Sequence, residues 1–185
     1  MKIIGLAGKK FSGKSTVAKK LIEQVGHKKW QVRRESVAYP MKAACHIIFG
    51  GTQDHWFGDR KETKLEDWDL IPRDIMKRTS DVLKKEFGET LWTHHLRLHL
   101  NAVKSYEDLV VIIDDVRFDE ECRLIQEFGG KVFRVIKNGQ ISTDTHNSEA
   151  GVSDALVYAN LLADGGDHIQ LTKNAAQIIA EYQLG

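Results

Sequence analysis

Short apolar runs alternate with amphipathic stretches along most of the chain. Residues 1–7 hold Ile3, Ile4, Leu6 and Ala7 in a run too short for a helix, which predicts a buried strand. From Thr16 to Val25, Val17, Leu21 and Ile22 share one helical face. Gln31 to Ala38 is a weaker strand candidate, interrupted by Arg33-Arg34-Glu35. Pro40 suits a first helical turn, and a helix to Phe49 would bury Met41, Ala44, Cys45 and Ile48 before Gly50-Gly51 ends it. Pro72 opens a stronger helix to Phe87, striped by Ile75, Thr79, Val82, Leu83 and Phe87. Another, Thr90 to about Lys104, turns Leu91, Leu98 and Val103 inward. Leu109-Val110-Val111-Ile112-Ile113 is a continuous β-branched run, the pattern of a central parallel strand buried on both faces. A helix after Arg117 presents Phe118, Cys122, Ile125 and Phe128. Lys131–Ile136 is the next strand, His168–Leu171 a last short one, and Thr172 caps a final helix through Tyr182. Alternating strands and helices predict an α/β fold, a parallel sheet with helices on both faces.

Residues 52–71 break the pattern. They are rich in charge and tryptophan, with Trp56, Arg60, Lys61, Glu62 and Trp68. Two readings stand side by side, a helical excursion over a site and a solvated insertion. The 185 residues are the size of one domain, or of one domain with a small insertion. Charge adds little: 27 Lys and Arg against 26 Asp and Glu make no general field for nucleic acid. Cys45 and Cys122 stand apart among apolar neighbours, which predicts reduced core thiols in a cytoplasmic protein rather than a metal site. The opening run reads as a strand, not a leader, and no apolar run is long enough to span a bilayer.

Chemistry enters between the first strand and the first helix. Gly8-Lys9-Lys10-Phe11-Ser12-Gly13-Lys14-Ser15 has the form G-x-x-x-x-G-K-[ST] of a phosphate-binding P-loop. The glycines let several backbone N–H groups converge on one anion, and the following helix adds its positive end. Lys14 brings a full charge to the outer phosphates, and the Ser15 hydroxyl suits a bridging Mg²⁺. The β-branched run ends in Asp114-Asp115, where P-loop enzymes hold Mg²⁺; a helix-capping Asp is the alternative. Lys42, Arg73 and Arg117 are candidates for a second anion, with surface charge as the alternative for each. Phosphoryl transfer requires two anions held in line with their repulsion neutralised. The polar segment Ser142–Glu149 suits a lid over phosphates.

Several blocks then resemble the phage-type deoxynucleoside monophosphate kinases. These are the P-loop, Ala38-Tyr39-Pro40-Met41-Lys42, Pro72-Arg73-Asp74-Ile75-Met76-Lys77 with Trp92 downstream, Asp115-Val116-Arg117-Phe118-Asp119-Glu120-Glu121, and Thr145-His146-Asn147-Ser148-Glu149-Ala150-Gly151. The resemblance implies ATP on Gly8, Lys10, Ser12, Gly13, Lys14, Ser15 and Thr16, and Mg²⁺ near Ser15 and Asp115. It implies a deoxynucleoside monophosphate (dNMP) facing Tyr39, Lys42, Arg73, Trp92, Asp115, Arg117 and Glu121. Lys14, Arg73 and Arg117 would act in catalysis. Trp92 or Tyr39 would offer a ring to the base, with core packing the alternative for Trp92. Residues 40–105 would form a helical substrate-binding region and residues 137–151 a lid carrying Lys137, His146 and Glu149. It further implies a homodimer, and a host-cytoplasmic location if the source is viral. Lys77, Tyr39 and Leu161-Leu162 depart from the family's usual Gln, small or acidic residue, and Asp-Gly. Two other readings are a P-loop kinase for a different small acceptor and a nucleotide-binding module of a phage assembly machine.

Overall fold

The computed structural model describes residues 1–26, 30–137, 151–163 and 168–184. They fall into two units, one of residues 1–36 with 97–185 and one of residues 37–96.

The first unit is built on five parallel strands: β1 (Lys2–Ala7), β2 (Gln31–Glu35), β3 (Leu109–Val116), β4 (Lys131–Ile136) and β5 (Ala159–Leu162). Their order is β2-β3-β1-β4-β5. Helices α1 (Lys14–Val25) and α7 (His168–Glu181) pack together on one face. There Val17, Leu21, Ala175 and Ile178 meet Ile4, Leu6, Ile112, Phe133 and Val135 in one buried cluster. Helix α6 (Asp119–Glu127) packs on β1 and β4, burying Cys122, Leu124 and Ile125. The loop after β1 leads into α1 and the loop after β3 leads into α6. The two connections leave neighbouring strands for different helices and in opposite directions across the sheet, the switch-point arrangement that opens a crevice at the carboxyl ends of β1 and β3.

The strand expected at His168–Leu171 is instead the first turn of α7, and the last strand is β5. Leu171, Ala175, Ile178 and Tyr182 are buried at helical spacing while Ile169 is exposed, so the local apolar alternation was the weaker signal. β5 has only four residues, one of them Asn160, and pairs at the sheet edge with β4.

The second unit holds α2 (Tyr39–Phe49), α3 (Gln53–Trp56), α4 (Pro72–Phe87) and the start of α5 (Leu91–Val103). Its core gathers Met41, Cys45, Trp56, Leu65, Ile75 and Met76. Trp56 is fully buried and donates its indole N–H to Gly50 O at 2.7 Å. Trp68 donates to Phe49 O at 2.9 Å, and Leu65 N to Leu70 O at 2.9 Å. Residues 52–71 are thus built into this core through Trp56 and Leu65. Helix faces were less well foreseen than helix spans. Ile48, Val82 and Phe87 are exposed rather than buried, as is Leu98 in α5, where Leu96, Leu100 and Val103 turn inward.

Candidate active site

The loop between β1 and α1 has the geometry its residues demand. Gly8 has φ +139°, and a Cβ there would lie 2.4 Å from Val135 O and 2.8 Å from Ser12 Oγ. Only glycine lets the loop lie this close to β4. Gly13, at φ +101°, turns the chain into α1, whose first turn carries no acidic residue to offset its positive end. Phe11 also holds a positive φ, 63°, a cost of about 1–2 kcal/mol for a residue other than glycine. The Ser12 amide closes the loop on Lys9 O at 3.2 Å. Lys14 is buried, and its Nζ donates to Gly8 O at 2.6 Å and Lys9 O at 2.7 Å, so the ammonium sits over the loop. Ser12 Oγ is buried without a hydrogen-bond partner among the described residues. Ser15 lies exposed in the first turn of α1. A cradle too tight for a Cβ, an orphaned hydroxyl and an ammonium together fit a phosphate chain.

β3 runs on through Asp114 and Asp115 to Val116, so both carboxylates lie within the strand. Asp114 is buried and takes Arg34, whose Nη2 approaches Oδ2 to 2.5 Å. Asp115 Oδ2 accepts from Ser36 Oγ at 2.5 Å. Arg117 follows at the turn into α6. Its amide donates to Glu121 Oε2 at 2.6 Å, and the amide of Phe118 donates to the same oxygen at 3.1 Å. Glu121 is buried, and burial foremost pushes its carboxyl up to about 8; Asp115 adds to the rise, while the Arg117 and Phe118 amides and the Arg117 charge oppose it. The resemblance sets Glu121 toward a dNMP; in the structure its carboxylate accepts the two amides that open α6.

Beside the loop lies a cavity of about 360 Å³, walled by Gly8 and Lys9, by Arg134 to Lys137 at the end of β4, and by Gly151, Val152 and Asp154. Among the described residues lining it, Lys9, Arg134 and Lys137 stand against one acid, Asp154. Arg134 bonds Asp154 Oδ1 and Val152 O, each at 2.5 Å. Sequence reasoning missed Arg134 and Asp154. The available signal was an arginine alternating with the buried Phe133 and Val135 of β4. Sequence reasoning also passed over Arg34 and Ser36, which lie in and just after a strand it reads only as weak. Lys10 lies within the loop and Thr16 in the first turn of α1, with Lys10 Nζ 4.8 Å from the centre of the Phe11 ring.

The second unit carries the other candidates. Tyr39 is exposed at the start of α2, its ring 5.6 Å from that of Phe57. Lys42 lies one turn on. Arg73 Nε donates to Glu62 Oε1 at 2.5 Å. Trp92 is half-buried against the unit's core and donates to Ser80 Oγ at 3.1 Å. His146 and Glu149, with most of the expected lid, lie outside the described residues.

A phosphate loop on the central strand of a parallel sheet, with a carboxylate and an arginine at the neighbouring strand end, defines a P-loop phosphotransferase. The model of the deoxynucleotide monophosphate kinase family matches residues 71–164. A protein of Acanthamoeba polyphaga mimivirus that carries the provisional name deoxynucleotide monophosphate kinase is 31% identical over 179 residues, 89% of each chain. A Chloroflexus aurantiacus structure, provisionally a kinase, superposes with TM-score 0.51 at 11% identity, covering 100% of this chain and 96% of that one; it bears on the fold alone. The chain belongs to the deoxynucleotide monophosphate kinase family. It is a kinase of deoxynucleotide monophosphates.

Proposed function

We propose that ATP is the donor, that Mg²⁺ accompanies it, and that the γ-phosphoryl group passes to a phosphate oxygen of a dNMP. The bond from γ-phosphorus to the β,γ-bridging oxygen breaks, a bond to the acceptor oxygen forms, and ADP and a deoxynucleoside diphosphate leave. The single observation that carries this reading is the loop: Lys14 Nζ poised over Gly8 O and Lys9 O beside the orphaned Ser12 hydroxyl. Lys14 would exchange those carbonyls for the outer phosphates, while the amides from Lys10 to Thr16 surround them.

No group of three or more His, Cys, Asp or Glu among the described residues could cage a metal. That suits Mg²⁺, which is held by a few protein oxygens plus phosphates and water. Ser15 and Asp115 would hold it, and it would supply charge neutralisation on the transferring group. Arg117 and Arg73 would neutralise the acceptor phosphate and the developing equatorial charge. Acceptor phosphate would compete with Glu62 for Arg73. Lys42 would add charge, and Tyr39 and Trp92 aromatic surface for the base. Glu121 would serve the acceptor through the Arg117 backbone, and His146 and Glu149 would belong to the lid. A homodimer and a cytoplasmic location, in a host if the source is viral, complete the reading. No helix among the described residues is long and apolar enough to cross a membrane. The readings as a kinase for another acceptor or an assembly module are not favoured by the family membership.

A coupled assay with ATP, Mg²⁺ and a panel of dNMPs tests this. Diphosphate formed only when a dNMP is present is expected. ATP consumed without acceptor-dependent diphosphate would overturn it. Light scattering on an eluting column fraction tests the dimer.

A further inference from the structure

Asp114 and Asp115 are adjacent, but the structure gives them different partners, both from the end of β2. In the β1–β3 pairing Gly5 sits opposite Ile113, while Ala7 sits opposite Val116. Two steps along β1 thus match three along β3, and the extra residue falls at Asp114-Asp115. A bulge of this kind re-aims side chains and is common beside active sites. On the other flank β2 keeps regular register, with Arg34 opposite Ile112 and Glu35 opposite Ile113. That register delivers Arg34 to Asp114 and Ser36, one residue past the strand, to Asp115.

The two contacts differ in kind. Arg34 sends Nε at 3.1 Å and Nη2 at 2.5 Å to Asp114 Oδ2, so a guanidinium charge matches a buried carboxylate. Ser36 sends a neutral hydroxyl to Asp115 Oδ2 at 2.5 Å. A hydroxyl fixes the rotation of a carboxylate without cancelling its charge. We infer that Ser36 is a positioning residue, holding the Asp115 carboxylate in the orientation that receives the divalent cation of the nucleotide complex. Arg34 commits Asp114 to a charged pair. This rests on the reading of Asp115 as a cation-holding group.

The test uses the full chain with Mn²⁺ in place of Mg²⁺, so that metal affinity in the ATP complex is read directly by electron paramagnetic resonance. ATP affinity without metal is measured alongside by calorimetry. Ser36→Ala should weaken Mn²⁺ about tenfold, the loss of one hydrogen bond to a charged group, while metal-free ATP affinity stays within about twofold. Ser36→Thr keeps the hydroxyl and should restore most of the affinity, which separates positioning from a folding defect. Asp115→Asn should weaken Mn²⁺ at least as much as Ser36→Ala. If Asp115→Asn weakens Mn²⁺ and Ser36→Ala does not, Ser36 has no positioning role, while the Asp115 reading stands. If Asp115→Asn leaves Mn²⁺ affinity unchanged, both fall.

Discussion

The backbone amide of Arg117 donates to Glu121 Oε2 across 2.6 Å. One buried carboxylate thereby fixes the turn that carries the arginine from β3 into α6. The same oxygen takes the Phe118 amide, so two N–H groups at the start of the helix are satisfied by one acid. The backbone that presents Arg117 is thus held by the protein's own contacts.

Glu121 should make stability depend on pH in an identifiable window. Its carboxyl titrates near 8 in the folded chain against 4.5 ordinarily, because burial disfavours the charged form. The folded state therefore holds the proton more tightly. The contribution is fully present below about pH 4.5 and is lost as pH rises through about 8. Wild type should lose melting temperature relative to Glu121→Gln between pH 5 and pH 8. Melting curves at both pH values check this, and a wild-type-minus-variant difference that stays constant contradicts it.

Lys14→Ala should lower the transfer rate by about a hundredfold or more, the cost of removing one group aimed at developing charge. Its melting temperature should hold or rise, since the buried ammonium is lost with its carbonyl partners still close to solvent at the loop. Gly8→Ala should behave differently. The new Cβ would press on Val135 O, so the variant should lose both nucleotide binding and roughly 5–10 °C of melting temperature, as about 2–3 kcal/mol of overpacking requires. Calorimetric ATP titration and thermal melts on the two proteins check the contrast.

The loop was legible because its function constrains consecutive residues: Gly8, Gly13, Lys14 and Ser15 are neighbours in sequence and in space. β1, β4 and the span of α4 were legible for a similar reason, since an uninterrupted apolar run or a Pro72-to-Gly88 frame is local information. What stayed hidden depends on distant partners. Ser36 and Asp115 are 79 residues apart, and Arg134 and Asp154 are 20 apart. Nothing near Ser36 says that parallel register will set it beside a carboxylate. Burial on α4 failed on the same ground. Val82 and Phe87 continue the apolar stripe, yet the core they were to meet ends near Ile75 and Met76.

Arg117→Ala should remove acceptor turnover and spare donor binding. The Glu121 contact is to the amide of residue 117, which alanine retains, so the turn should survive the substitution. The loss should be on the order of a thousandfold in turnover with dNMP, as for other arginines that neutralise a transferring phosphoryl group. Calorimetric affinity for ATP should change by less than about twofold. Normal dNMP turnover in this variant would remove Arg117 from its assigned role.

Trp56→Ala should separate the stability of the second unit from the chemistry of the phosphate loop. The indole is fully buried among Met41, Cys45, Leu65 and Ile75, and its N–H satisfies Gly50 O. Truncation removes a large apolar side chain and leaves a cavity, at a cost of about 3–5 kcal/mol. Trp56→Phe keeps much of the volume but abandons Gly50 O, a loss of about 1–3 kcal/mol if that carbonyl finds no other donor. Both residues that would touch ATP phosphates most directly, Lys14 and Ser15, belong to the other unit. ATP affinity at low temperature should therefore stay near wild type in both variants, while the melting temperature drops more for alanine than for phenylalanine. Acceptor turnover should fall with the folded fraction of the second unit. A Trp56→Ala protein that melts like wild type would show that residues 52–71 are not part of that unit's core.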